Sequence, residues 1–136
     1  MTLVEKQRAL IDDLSVVDDR HERLALIVDR SRRAPSLLAF EKTDAARVPG
    51  CVSLVWLICE IHDQRLRLRI DAESPMVKAL VVLLCELYDG ATPAEAVSME
   101  PTLFDELGLT RDLSPTRRNG LAAVRARIKA FAQQFL

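Results

Sequence analysis

Three cysteines and two histidines are the side chains of this 136-residue chain best suited to thiol chemistry or to binding zinc. Cys51 follows Pro49 and Gly50, which are typical of tight turns, and precedes an apolar, β-prone run. Pro49 fixes its own φ, and Gly50 tolerates backbone angles that other residues avoid. We therefore expect Cys51 at the tip of a loop, where its thiol could meet another protein.

The other cysteines and the histidines are poor candidates for joint chemistry with Cys51. A straight strand at about 3.3 Å per residue would place Cys59 roughly 26 Å and His62 roughly 36 Å from Cys51, unless the chain bends sharply. Cys59 and Cys85 are expected to be inert core thiols, and His21 is expected on a helix surface. The chain has no CxxC or HxxxH pair that would indicate zinc. The residues alone leave Cys51 open between a nucleophile or acceptor and an incidental surface thiol.

Composition is that of one globular domain, predicted to span residues 1–136. Hydrophobic residues make up 49% of the chain and charged residues 29%, unlike disordered chains, which are poorer in apolar residues. The formal net charge of −1 argues against nucleic-acid binding. The longest near-continuous apolar run, Met76–Cys85, is about half of the ~20 residues that a membrane span requires. Scattered cysteines and an N-terminus without a secretory pattern predict free thiols in the cytoplasm.

A β-hairpin is predicted between helical segments. The apolar pattern predicts two helices within residues 3–33, a long loop over residues 34–52 and a strand over residues 53–61, in which Trp56 is expected to be the largest buried side chain. Residues 65–70 alternate strictly, which predicts the second strand. Its outward arginines, Arg65, Arg67 and Arg69, are explained more simply as a solvated strand face than as a docking stripe for an acidic partner.

Capping patterns divide the second half of the chain into helices. Ser74–Pro75 begins an apolar central helix that Gly90 ends, and short helices follow Thr92 and Pro101. Ser114–Pro115 begins a last amphipathic helix. The predicted class is α/β of the α+β type, with a small antiparallel sheet packed against N-terminal, central and C-terminal helices.

Four ordered segments carry further patterns, which read PGCVSLVW at 49–56, DAESPMVKAL at 71–80, LYDGATP at 87–93 and LSPTRRNGL at 113–121. Together they resemble the GCxSxVW, VKGL, YxGxTP and LSPSRxNGL motifs of the SufE-like sulfur-acceptor family. The chain departs from that family at three positions and keeps the acceptor motif. The departures are Ala79 for the usual glycine, Glu73 for the common aspartate, and Pro75 inside the acidic turn.

The resemblance implies a SufE/IscU-like fold and a role in sulfur transfer. Cys51 would accept a persulfide sulfur from a cysteine desulfurase, stimulate that enzyme and pass the sulfur to an iron–sulfur scaffold or another acceptor. Pyridoxal phosphate would belong to the desulfurase, while this chain would hold no cofactor and no metal. The chain would be a sulfur-transfer partner and not a stand-alone enzyme. The resemblance also implies that Cys51 is sheltered in the free protein and swings out on docking.

Six further residues are predicted to position the Cys51 loop or the partner: Gly50, Ser53, Asp71, Glu73, Lys78 and Arg117. Arg117 is expected to hold the loop or a partner carboxylate, the alternative being a solvated side chain. A second function class stays open, namely a non-catalytic binding or scaffold module of the same pathway. A scaffold that assembles clusters would need several converging ligands.

Overall fold

A two-stranded antiparallel sheet forms from the predicted hairpin in the computed structural model, which describes residues 1–136. Strand β1 spans Val55–His62 and strand β2 spans Arg65–Ala72, in continuous register along their full length. The two turn residues, Asp63 and Gln64, have φ values of 52° and 64°. Positive φ at both central positions is the geometry that matches the right-handed twist of paired strands.

Six α-helices accompany the sheet. Their bounds are α1 Leu3–Leu14, α2 Arg20–Ser31, α3 Pro75–Tyr88, α4 Pro93–Ser98, α5 Leu103–Glu106 and α6 Pro115–Gln133. Helix α3 packs on β2, and α6 packs on β1. Short 3-10 turns cover Ala39–Glu41 and Thr110–Asp112. The predicted N-terminal helix pair, the central helix and the last helix are confirmed, and the side chains of Ser74 and Ser114 cap α3 and α6.

One hydrophobic core of 29 buried residues joins the helices to the inner face of the sheet. Helix α3 lies at its centre, because its buried positions fall on most of its circumference and it packs on both α2 and β2. The predicted α+β class is confirmed. None of the helices combines the length and apolar character that a membrane crossing needs.

Trp56 is not the core residue that the sequence predicted. Strand alternation turns Val55 (0% exposed) and Leu57 (2% exposed) towards the core and Trp56 to the opposite face. There the Trp56 ring is half-buried, and the Lys42 ammonium lies 5.2 Å from its centroid. The largest fully buried side chain is Tyr88.

The three strand arginines point outwards as predicted. Each has a partner within the chain: Arg65 donates to the carbonyl oxygen of Gly90 at 2.8 Å, Arg67 lies 3.8 Å from Asp89, and Arg69 pairs with Glu41 and Glu60. These contacts support the interpretation as a solvated strand face.

Candidate functional site

The loop that carries Cys51 is held at its base by backbone hydrogen bonds. Val48 donates to the carbonyl oxygen of Val55 at 2.8 Å, and Leu57 donates to that of Ala46 at 2.9 Å. The segment before the loop therefore runs antiparallel to the start of β1, with Val48 buried beneath it. Residues 49–54 are consequently confined to a narrow turn between two fixed ends.

Gly50 is required by this turn for two physical reasons. Its φ is 89°, a conformation that L side chains rarely adopt. A Cβ at this position would also lie 3.3 Å from the Cβ of Ala123 in α6. The turn expected from Pro49 and Gly50 is present, and it presses the loop closely onto the last helix.

Cys51 lies under the loop, with its side chain turned towards α6. The Sγ atom is half-buried and lies 3.6 Å from the carbonyl oxygen of Gly120, to which the thiol can donate. Burial raises the pKa of the Cys51 thiol above its usual value. The next residue, Val52, is 81% exposed. Cys51 is thus sheltered, whereas a tip position alone would expose it.

Two cavities border Cys51, one beside residues 51–53 and the other beside the segment that leads into the turn. The first measures about 350 Å³ and lies between α3 and α6. Its walls are mainly apolar, and besides Cys51 and Val52 they comprise Ser53, Val77, Leu80, Val81, Ser114, Thr116, Arg117, Gly120 and Leu121. A sulfur atom added to Cys51 would therefore have room beside the thiol without unfolding the loop.

The second cavity measures about 480 Å³ and lies against the segment that precedes the turn. Arg127 of α6 forms one wall, and its guanidinium donates to the carbonyl oxygens of Arg47, at 2.8 Å, and Ala45. Asp44 and the exposed side chain of Arg47 also line this cavity. The sequence did not single out Arg127, because its contacts are to backbone carbonyls 80 and more residues away.

The predicted positioning residues divide into two groups. Gly50, Ser53 and Arg117 surround Cys51, and Ser53 and Arg117 line the first cavity. Arg117 is the third residue of α6, its backbone N–H is capped by Ser114 Oγ at 3.2 Å, and its side chain is exposed. The remaining three residues, Asp71, Glu73 and Lys78, do not line either cavity.

Asp71 is the centre of a separate buried network. It is 4% exposed and accepts backbone hydrogen bonds from Leu37 at 3.1 Å and Ala72 at 2.9 Å. The ammonium groups of Lys78 and Lys42 lie 3.3 and 3.4 Å from its carboxylate. Burial opposes its ionisation, but these hydrogen bonds and the Lys78 charge outweigh burial and lower the pKa of Asp71. The network fixes the segment near residue 37 onto the end of β2.

Glu73 reaches the Cys51 loop through its backbone alone. Its N–H donates to the carbonyl oxygen of Leu54 at 3.1 Å, which ties the end of the loop to the end of β2, while its side chain is exposed.

The other candidate side chains lie apart from this site. Cys85 is 3% exposed, as predicted, and burial raises its pKa. Cys59 is half-buried at the edge of the core, and burial raises its pKa to about 11. His21 lies on the exposed surface of α2, and His62 is exposed beside Glu60. No group of three or more His, Cys, Asp or Glu side chains converges to hold a metal ion.

The fold and the site define a small α+β domain that shelters one loop thiol against its last helix. A sequence model of the SufE family, described as an Fe-S metabolism associated domain, matches residues 8–132. The chain belongs to the SufE family, which confirms the resemblance, and the family is one of Fe–S metabolism.

Two relatives and one solved structure are similar to this chain. The chain is 26% identical to an uncharacterised SufE-like protein of Rhizobium meliloti over 129 residues, covering 91% of this chain and 92% of that protein. It is 27% identical to an uncharacterised SufE-like protein of Rhizobium etli over 129 residues, with coverages of 91% and 87%. A hypothetical protein of Thermus thermophilus, solved in solution, shares the fold with a TM-score of 0.77 at 21% identity, over 95% and 94% of the two chains.

Proposed function

We propose that this protein accepts sulfane sulfur on Cys51 from a pyridoxal-phosphate cysteine desulfurase, stimulates that enzyme, and relays the sulfur to an iron–sulfur scaffold or another acceptor. The position of Cys51 carries the proposal. It is the one cysteine on a loop, it is partly accessible, and it borders two cavities. Cys59 and Cys85, by contrast, belong to a strand and a helix and pack with the core.

The transfer needs no base and no cofactor on this chain. The Cys51 thiolate attacks the outer sulfur of the donor's persulfide and forms a new Sγ–S bond. The S–S bond of the donor breaks, and its electron pair stays on the donor cysteine as a thiolate. The proton lost by Cys51 balances the proton that this thiolate takes up, so the exchange requires no external oxidant or reductant.

The sheltered thiol of the free protein suits a carrier that must avoid side reactions. Burial disfavours the thiolate, and the contact with Gly120 favours a thiol that can donate. We infer that docking moves the Cys51 loop outwards, which raises the thiolate fraction and presents the sulfur atom. Return of the loaded loop would place the persulfide beside the apolar walls of the first cavity, away from oxidants and thiols in water.

The surrounding residues have separate roles in this proposal. Ser53 and Arg117 would position the loop or the partner directly, since both line the first cavity. Asp71 and Lys78 would act indirectly by holding the neighbouring segment on β2, and Glu73 through its bond to Leu54. The three free cysteines support a reducing compartment, and the proposal places the protein in the cytoplasm.

The test is sulfur loading by a cysteine desulfurase of the same host. Wild type, Cys51→Ser, Cys59→Ser and Cys85→Ala are each incubated with the enzyme and cysteine, and intact mass is measured before and after reduction. Serine is nearly isosteric but cannot carry a persulfide, so only Cys51→Ser should fail to gain a reducible sulfur atom and fail to stimulate the enzyme. Cys59→Ser is the matched control.

A loaded Cys51→Ser protein would show that the acceptor is another cysteine. Charge-transfer absorption after incubation of the wild type with iron and sulfide would instead favour a cluster scaffold. Either result would overturn the proposal.

A further inference from the structure

Arginines beside Cys51 lack the acidic partners that many arginines elsewhere have. Seven of the fifteen arginines lie within ion-pair distance of a carboxylate: Arg8, Arg20, Arg30, Arg33, Arg67, Arg69 and Arg125. Arg47, Arg117 and Arg127 line the two cavities next to Cys51 and are not among them. The only acidic side chain in those cavity walls is Asp44. The face formed by Cys51 and the two adjoining cavities is therefore locally positive, on a chain whose formal net charge is −1.

Two of these arginines are free to bind something else. Arg127 donates to backbone carbonyls, whereas Arg47 and Arg117 are exposed and their guanidinium groups have no partner within the chain. Each lines a different one of the two cavities that Cys51 borders. Along α6, Arg117 comes about one turn before Gly120, which contacts the thiol. Arg47 is bonded through its carbonyl oxygen to Arg127, about two turns after Gly120. Arg47 and Arg117 therefore approach the thiol from opposite directions. The N-terminus of α6, which contains Arg117, adds partial positive charge to the same face.

This positive charge does not serve to ionise the thiol. Burial alone accounts for the raised pKa of Cys51, and no arginine lowers it. Because Arg47 and Arg117 are exposed, their guanidinium groups are accessible to a molecule that approaches the thiol from outside.

We propose that this face docks onto an acidic surface of the sulfur donor, with Arg47 and Arg117 pairing with carboxylates on either side of the donor's persulfide cysteine. The inference rests on the proposed function and specifies the chemistry of its partner. Guanidinium groups form bidentate pairs with carboxylates, so two contacts that flank the thiol would fix both the position and the direction of the incoming sulfur. Opposite charges would also accelerate encounter at low ionic strength.

The first test measures the local charge without any partner protein. The Cys51 thiol is allowed to react with anionic dithiobis(nitrobenzoate) and, separately, with neutral dithiodipyridine, and the residual rates of Cys51→Ser are subtracted. The ratio of the rate with the anionic reagent to the rate with the neutral reagent cancels differences in loop exposure. Reversing the charge in Arg47→Glu or Arg117→Glu should lower the ratio by about tenfold, within the range of electrostatic rate effects. Arg32→Glu, at an exposed and unpaired arginine outside both cavities, should leave the ratio unchanged.

The variants are chosen to keep the fold intact. The side chain of Arg47 is exposed, and Arg47→Lys retains its charge. Glutamate at position 117 would complete a capping box with Ser114, so Arg117→Glu should strengthen the start of α6.

The second test measures the initial rate of sulfur loading from the desulfurase. At about 0.05 M salt, Arg47→Glu and Arg117→Glu should load about tenfold more slowly than wild type, whereas Arg32→Glu should match it. Arg47→Lys keeps the charge but loses the bidentate geometry, so its loading rate should lie between those of wild type and Arg47→Glu. Raising the salt to about 0.5 M should slow the wild type and remove most of the difference.

The outcomes separate the two proposals. Normal loading that is insensitive to salt and to both charge reversals would overturn the acidic docking surface and leave sulfur acceptance standing. A wild type that accepts no sulfur would overturn both, whatever the thiol probes report. Binding of a labelled RNA duplex that weakens with the same variants, in place of desulfurase binding, would assign the face to nucleic acid and also overturn the inference.

Discussion

The Sγ atom of Cys51 lies 3.6 Å from the carbonyl oxygen of Gly120 in the second turn of α6. The preceding residue, Gly50, approaches Ala123 on the same helix. Two consecutive loop residues therefore rest on one face of α6. Because a thiolate cannot donate a hydrogen bond, ionisation of Cys51 would remove the contact with Gly120. Shelter and low reactivity of the thiol thus have the same structural origin.

Alkylation kinetics should reveal this shelter. Since burial raises the pKa of Cys51, less thiolate is present at neutral pH than in an exposed cysteine, and alkylation by iodoacetamide should be slower than that of free cysteine. The alkylation rate of Cys51 should continue to rise as the pH increases above the pKa of an ordinary thiol. Peptide mapping should rank the rates as Cys51, then Cys59 and last Cys85. A Cys51 rate at neutral pH above that of free cysteine would contradict the burial.

Gly50 should be harder to replace than a glycine of similar backbone geometry. Gly50 and Gly90 have φ values of 89° and 83°, so an alanine at either position should cost about 1 to 2 kcal/mol in the free energy of unfolding. Gly50→Ala should cost more than Gly90→Ala, because its Cβ would meet Ala123 at 3.3 Å whereas position 90 is open. Denaturant unfolding of both variants measures the difference. Equal losses would mean that the loop does not press on α6.

Leu57→Ala should destabilise the protein more than Trp56→Ala, although tryptophan is the larger side chain. Leu57 is 2% exposed, and truncation of such a core leucine costs about 2 to 5 kcal/mol. Trp56 is half-buried on the opposite face, so its truncation should cost only about 1 to 2 kcal/mol. Chemical denaturation of the two variants provides the measurement. The reverse order would place Trp56 in the core after all.

Local sequence signals predicted the elements of this fold well. The caps at Ser74 and Ser114 and the alternation of residues 65–70 depend on neighbours within a few residues, and the structure contains the helices and the strand that they indicate. The prediction that Trp56 is a core residue was wrong because residues 53–61 are apolar on both faces of the strand. The pattern therefore could not tell which face of β1 meets the core.

The site was predictable only in part for a similar reason. Gly50, Ser53 and Arg117 were identified through the motif resemblance and do surround Cys51. Arg127 acts on carbonyls that are distant in sequence, and such contacts leave no spacing pattern. The sequence likewise gave no sign that Asp71 would be buried beneath the segment near residue 37.

Asp71 should make the stability of the protein depend on pH in the acid range. The pKa of Asp71 in the folded protein is lowered from its usual value of 3.8. The stabilisation that its carboxylate contributes is therefore complete at pH values above 3.8 and is lost as the pH falls through the folded-state pKa. Asp71→Asn should cost about 1 to 3 kcal/mol near neutral pH, because two lysines and two backbone groups lose their charged acceptor. The loss should shrink towards strongly acidic pH. Asp44→Asn, at an exposed carboxylate, is the control and should change little.

Arg127 should control how firmly the Cys51 loop is closed. Its guanidinium holds the carbonyl oxygens of Ala45 and Arg47, the residues that lead into the turn. Arg127→Met keeps most of the aliphatic stem and removes these hydrogen bonds, so the segment should loosen from α6 and Cys51 should open more often. We expect alkylation of Cys51 to accelerate by roughly 30-fold, since two hydrogen bonds worth about 1 kcal/mol each together shift an opening equilibrium by that factor. Arg127→Lys can still donate to one carbonyl oxygen, so its Cys51 alkylation rate should lie between those of wild type and Arg127→Met. Unchanged alkylation in Arg127→Met would mean that the backbone bonds of Val48 and Leu57 suffice to close the loop.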